Sequence, residues 1–189
     1  TKKQEDLLLT QAERSIVQCD VAVLSDYGKG VLTPAVCQGV IASAQTHSKP
    51  VVVDPKGIGW NKYRGATVVT PNVKEAEAVW GQAISDERDL QSAGHSLVEI
   101  LEGSAVIITL GSAGMRVFAG GSESFHIQAT VQNVFDVTGA GDTAVAALAL
   151  ALASGYSLAE SAGLANSAAG IAVGKIGTTS VTAEEIFDS

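Results

Sequence analysis

The segment Asp136-Val137-Thr138-Gly139-Ala140-Gly141-Asp142 sets two carboxylates and two glycines directly before an alanine-rich run. Backbone N–H groups at the start of such a helix point outward, and the helix dipole there favours anions. That suits a phosphoryl group whose charge develops on its oxygens during transfer. Asp142 falls in the first turn, where a carboxylate can take a proton from a hydroxyl as it attacks phosphorus. The plain alternative is a glycine-rich turn with Thr138 as N-cap and Asp142 favoured by the dipole.

Other segments carry weaker chemistry. Asn72 and Glu75 are spaced as a capping box at a helix start, and a helix start facing a cleft can also serve a ligand. Thr109-Leu110-Gly111-Ser112-Ala113-Gly114 is a strand end running into a glycine loop, or a plain turn into a hairpin. Lys29 and Lys56 stand in the glycine-rich loops 25–30 and 54–57 of an otherwise acidic chain. A substrate with several negative charges would need such cations; solvated loop lysines are the plain alternative. His47, His95 and His126 lack metal-like spacing and no Cys–His cluster exists, so no zinc site is expected. Ser25 and Ser112 have no visible His partner. A Walker-A loop is absent, which excludes a P-loop kinase. Trp60 and Trp80 are expected to pack.

Elements must hold these residues, and the composition allows them. The chain has 189 residues, 46% hydrophobic and 17% charged, which suggests one domain with ample material for a core. Its net charge of −8 and lack of a basic cluster argue against nucleic-acid binding. Glycine numbers 20, against roughly 13 at average usage. Cys19 and Cys37 lie in or beside apolar stretches, so buried free thiols and a reducing, cytoplasmic setting are expected. No signal peptide is visible at the start. The apolar run 144–153 is too short to span a bilayer and reads as a buried helix, so no membrane partner is expected.

Spacing predicts helices over 5–18, from Thr33-Pro34 onward, and over 73–80, 86–102, 141–154 and 158–173. Short apolar runs predict strands at 21–25, 51–53, 67–70 and 105–109. The first, Val-Ala-Val-Leu-Ser, reads as a parallel strand covered on both faces. Alternation at 115–119 and 124–128 around Gly120-Gly121 predicts an antiparallel hairpin at a sheet edge. Gly155 should end one helix, and Ser157 with Glu160 should cap the next. Repeated strand–helix units imply an α/β fold with a mostly parallel sheet and helices on both faces. In such sheets the loops after the strands share one rim, which would gather all the segments above.

Asp-x-Thr-Gly-Ala-Gly-Asp resembles the C-terminal signature of the ribokinase-like (PfkB) carbohydrate kinases. The resemblance implies Asp142 as catalytic base and Gly139, Ala140 and Gly141 as an anion hole. It implies Asp136 and Thr138 as ligands of a potassium-type cation. Asn72 and Glu75 match the family's Asn-x-x-Glu element, which implies that they place magnesium, through water, and the nucleotide phosphates. Thr109, Gly111 and Gly114 resemble the nucleotide-binding turn, and Asn166 would line the adenine pocket. ATP and Mg2+ are the implied cofactors, with K+ beside them.

The loops 25–30 and 54–57, with 63–67 and 174–178, are similar to the kinase module of heptose-7-phosphate kinases, which are often fused to an adenylyltransferase. This implies that Asp26, Lys29 and Lys56 meet the substrate or its phosphate. The expected reaction is ATP-dependent phosphorylation of O1 of the heptose 7-phosphate, in lipopolysaccharide core synthesis. Another sugar or nucleoside kinase of the family, or a non-catalytic nucleotide-binding fragment, is the alternative. The match runs from about Asp20 to Thr182, yet the family's N-terminal Gly-Gly signature and lid are not in the sequence. The resemblance therefore implies the C-terminal portion of a kinase domain over residues 1–189, inactive or weak alone. Family members often pair through that lid, which implies a homodimer as a candidate assembly.

Overall fold

The structure is a computed structural model that describes residues 1–120, 124–129, 136–177 and 179–188. The elements run α1 (Lys2–Ile16), β1 (Ala22–Ser25), α2 (Pro34–Thr46), β2 (Val51–Asp54), β3 (Val68–Val69), α3 (Val73–Trp80), α4 (Glu87–Ile100), β4 (Ala105–Thr109), β5 (Met115–Phe118), β6 (Ser124–Ile127), α5 (Ala140–Ala153), α6 (Leu158–Val173) and α7 (Ala183–Phe187). The strands form one sheet in chain order, β1 to β6. β1 to β4 pair in parallel and β4, β5 and β6 antiparallel.

The strand order explains the layering. A sheet that grows in one direction through right-handed crossovers sends every connection to the same face. That face carries Leu24, Val51, Val53, Val69, Val106, Ile108 and Phe118, packed with residues of α1 to α4 such as Ile16, Ile41, Ala76 and Leu97. The hairpin then reverses the chain and releases it onto the other face. There Val52, Val68, Ile107 and Val117 meet Val145, Leu148 and Ala149 of α5 and Ala162 and Ala165 of α6. Continuous apolar runs such as Val51–Val53 thus serve two cores at once.

Boundaries match the sequence-based expectations closely for α3, α6 and β4. α1 begins and ends earlier than expected. Two short 3-10 turns, Trp60–Tyr63 and Gly111–Ala113, and the helix α7 have no counterpart in those expectations. They are too short to show a period. β1 is corrected more sharply: it is an edge strand, and its Val23 is 44% exposed while Leu24 is 5%. The α5–α6 layer covers the sheet from β2 onward and leaves that face of β1 bare. Gly121 of the expected hairpin turn and Thr178 lie outside the described residues. Cys37 is buried and Cys19 partly buried; both are free, and burial pushes the Cys37 thiol up to about 11. Among the described residues no helix is long and apolar enough to cross a membrane.

Close packing leaves identifiable weak points. At Gly94 of α4 a Cβ would sit 2.3 Å from the ring of fully buried Phe118. Phe118 has no free direction to move, so overpacking there strains the core. Gly94→Ala is expected to destabilise the chain by about 1–3 kcal/mol. Gly39→Ala, whose Cβ would meet only the flexible end of Leu9 on α1, is expected to cost less. Urea denaturation of the two variants checks the order.

Candidate active site

The carboxyl ends of β2, β3 and β4 and the start of α5 surround one cavity of about 270 Å3. Asp54 and Lys56 come from the end of β2, and Thr70, Asn72 and Glu75 from the passage of β3 into α3. Thr109 comes from β4, and Gly139, Gly141 and Asp142 from the α5 start. A second cavity of about 430 Å3 adjoins it and shares Thr109 and Gly141. Its lining adds Gly111, Gly114, Val137, Ala140 and Asn166.

The start of α5 differs from the other helix starts. Side chains cap α2, α3, α4, α6 and α7 through Thr33, Asn72, Asp86, Ser157 and Thr182. In α5 the N-cap is Gly139, held in the left-handed region at φ 81°, and no side chain caps it. Thr138 is therefore not the cap; its own N–H donates to Asp136 Oδ1 at 2.9 Å. Ala140 N–H donates to the Val137 carbonyl at 3.3 Å, while Gly139 and Gly141 line the cavity at the positive end of the dipole. Asp142 stands in that first turn, exposed toward the cavity.

Asn72 and Glu75 form the capping box of α3: Glu75 N–H donates to Asn72 Oδ1 at 3.0 Å and Asn72 N–H to Glu75 Oε2 at 3.1 Å. The other Glu75 oxygen accepts from Lys56 Nζ at 2.9 Å. The capping role is present, and the box also sits on the cavity wall. The hydrogen bond and charge of Glu75 push the Lys56 ammonium up.

Asp54 is the residue that motif reading passed over. Burial, then the charges of Glu75 and Asp142, pushes its carboxyl up to about 6, with Lys56 opposing. Three carboxylates thus crowd one site that has a single nearby ammonium, a surplus of negative charge suited to a cation. The signal was present in the sequence, since Asp54 ends a strand next to Lys56. Among the described residues no three Asp, Glu, His or Cys side chains can hold a metal ion by themselves.

The glycine loop 111–114 shapes the second cavity. Gly114 has φ 89°, and a Cβ there would lie 2.0 Å from the carbonyl oxygen of Ile127. Asn166, 5% exposed, donates to the Gln128 carbonyl at 2.8 Å; it is both satisfied and part of the lining. Asp136 is fully exposed, and amides of Thr138 and then the Thr138 side chain and Gly177 N–H hold its carboxyl low.

The structure brings together Asn72, Glu75, Lys56, Gly139, Gly141 and Asp142, and beside them Thr109, Gly111, Gly114, Ala140 and Asn166. It does not bring Lys29 there: Lys29 is exposed and lines neither cavity. Asp26 is turned inward. Its side chain is 4% exposed and accepts from Lys62 Nζ at 2.5 Å, Tyr63 Oη at 2.6 Å and Gly28 N–H at 2.7 Å. Burial raises its pKa, but these donors outweigh it and hold the carboxyl below the usual range. Trp60 packs as expected, 1% exposed, with Nε1 donating to Gly57 O.

The fold gathers a helix start, a glycine loop and a carboxylate cluster on one rim, and comparison with known proteins gives the class. The model of the pfkB family carbohydrate kinases matches residues 1–185, so the chain belongs to that family. Among curated relatives, the chain is 53% identical to the bifunctional protein HldE of Citrifermentans bemidjiense over 167 residues, 88% of this chain and 34% of that protein. It is 52% identical to HldE of Geobacter sulfurreducens over 170 residues, covering 90% and 35%. The chain thus spans about a third of the length of the curated relatives it matches. Among solved structures, Arabidopsis thaliana ribokinase complexed with ribose and ATP superposes with TM-score 0.76 at 23% identity, over 88% of this chain and 54% of that one. Escherichia coli phosphofructokinase-2 in complex with potassium gives 0.79 at 22%, over 95% and 60%. The ribokinase-like fold is shown by these neighbours.

The raised Asp54 gives a pH test. Its folded pKa exceeds the unfolded value near 3.8, so between about pH 4 and 6 the folded chain holds the extra proton. Stability therefore falls as pH rises through that window. Asp54→Asn is expected to raise Tm at pH 7 and to flatten the gain seen on moving from pH 7 to 5. Calorimetric Tm–pH curves that coincide with wild type would overturn the assignment.

Proposed function

We propose that residues 1–189 are the nucleotide-binding and catalytic C-terminal portion of a sugar kinase. The reaction is transfer of the γ-phosphoryl of ATP to O1 of D-glycero-D-manno-heptose 7-phosphate, giving the 1,7-bisphosphate. The observation that carries the reading is the start of α5, which no side chain caps and whose Gly139, Gly141 and Asp142 line the same cavity as Lys56 and Glu75. Support for the narrower substrate comes from the HldE relatives and from the loops 25–30 and 54–57.

In this mechanism the substrate hydroxyl lies against Asp142, which takes its proton as the oxygen attacks the γ-phosphorus. The amides of Gly139, Gly141 and Asp142, joined by that of Ala140 once it leaves the Val137 carbonyl, stabilise charge on the moving phosphoryl oxygens, and ADP leaves on the opposite side. The adenosine would occupy the second cavity, between the 111–114 loop and Asn166. Lys56 neutralises phosphate charge at the rim, with Lys29 further out.

The surplus of carboxylates fits magnesium brought in with the nucleotide. Asp54 and, through water, Asn72 and Glu75 would hold it, and it would offset phosphate charge. Asp136 and Thr138 offer the oxygen donors that a potassium-type cation takes. The phosphofructokinase-2 neighbour was solved with potassium, and the ribokinase neighbour with ATP.

A second reading is favoured by the coverage of 54–60% of the solved kinases and by the bare face of β1. On that reading this chain alone binds nucleotide without turnover, and residues that the longer relatives carry complete the sugar site. Calorimetry with MgADP on this chain, beside a turnover assay, tests this, and full-rate turnover by the chain alone would overturn it. Binding with negligible turnover is expected.

In the protein at its full natural length, Asp142→Asn is expected to lower kcat by about 100-fold or more while MgADP still binds. Turnover within tenfold of wild type would remove Asp142 from the role of base.

A further inference from the structure

The 3-10 turn Trp60–Tyr63 lies between β2 and β3 and contributes nothing to either cavity. Two of its side chains nonetheless converge on one buried carboxylate. Tyr63 Oη, from a side chain with no exposed surface, donates to Asp26 Oδ2 at 2.6 Å and accepts the Lys56 N–H at 3.3 Å. Lys62 Nζ donates to the same Asp26 oxygen at 2.5 Å and to the Leu32 carbonyl at 3.2 Å. Asp26 in turn takes the Gly28 N–H at 2.7 Å. The loop after β1 is therefore gripped at 26, 28 and 32, and the loop after β2 at 56.

We propose that Lys62 and Tyr63, acting through Asp26, are positioning residues that fix these two loops against each other and so set where Lys56 meets the substrate phosphate. The inference rests on the sugar-phosphate reading above. The loops do touch: a Cβ built on Gly28 would contact Lys56 Cγ at 3.6 Å. The turn itself is anchored, since Gln38 of α2 donates to the carbonyls of Lys62 and Arg64 at 3.1 Å each.

Stability alone does not account for an ionic knot here. A buried ion pair is often no more stabilising than apolar side chains of equal volume. What charge-assisted bonds add is fixed geometry. The directed bonds of Asp26, Lys62 and Tyr63 together end on backbone atoms of the loops that carry Lys29 and Lys56: Gly28 N–H on Asp26, the Leu32 carbonyl on Lys62 and Lys56 N–H on Tyr63. That Asp26 is inaccessible to substrate is consistent with this role: it shapes the site from behind.

Tyr63→Phe keeps the buried ring and removes the link from Asp26 to Lys56 N–H. Steady-state kinetics of the protein at its full natural length are expected to show KM for the sugar phosphate raised about tenfold, with kcat and KM for ATP within threefold. Lys62→Met is expected to shift the same parameter, and Lys62→Arg to recover most of it. Hydrogen exchange should quicken in 27–32 and 54–59 and stay unchanged in α5 and α6. A drop in Tm with an unmoved sugar-phosphate KM, or exchange unchanged in the two loops, would overturn the inference. Lys56→Gln separates the two levels. If it leaves that KM unchanged, the sugar-phosphate reading fails and takes this inference with it. If it raises KM while Tyr63→Phe is silent, only the positioning role fails.

Discussion

Parallel pairing of β1 to β4 is the constraint on which the rest depends. In register Ser25 faces Asp54, and Asn72 bridges to Thr109, so the parallel strands end close to one level. Each loop that follows starts from that level, and α5 descends from above with its first turn among them. No loop reaches the cavity by length. Asp54, Glu75 and Asp142 are distant in sequence and meet because the ladder of main-chain hydrogen bonds leaves them no other place. The same ladder has two faces to bury, which is why the strands are runs of valine and isoleucine and why α5, rich in alanine, can lie close on them.

The cavity is electrostatically tense, and the tension is local. Asp54, Glu75 and Asp142 face one ammonium, that of Lys56. The start of α5 brings amide N–H groups into the same cavity, with Asp142 beside them, so carboxylates and positive backbone dipoles share one site. Such an arrangement is unfavourable when empty, and it can hold a phosphate chain and its counter-cation together. By contrast, the charges around Asp26 are fully matched. The molecule keeps its imbalance where a ligand can relieve it and its balance where geometry must stay fixed.

Much of this was legible in the sequence because it is written in local patterns. Val51–Val53 and Ala105–Thr109 announce buried parallel strands. Asn72 and Glu75 announce a helix start, and Gly139 to Asp142 an open one. What was not legible depends on distant partners. Nothing near Asp26 says that a lysine and a tyrosine 36 and 37 residues later will claim its carboxylate, so it read as a ligand for substrate. The elevated Asp54 arises from carboxylates on α3 and α5. The exposed face of β1 escaped because an apolar run says that a strand prefers cover, and not whether the chain supplies it.

That face carries a physical liability. β1 presents one row of main-chain N–H and C=O groups without a neighbouring strand among the described residues, and Val23 stands beside it. A bare edge with an apolar flank is a template for further strand pairing. The short length of β1, four residues, limits the hazard without removing it. The solubility of the chain at high concentration is thus tied to whatever strand lies along β1. A segment that docks there would act as a built-in guard against self-association as much as an extension of the sheet.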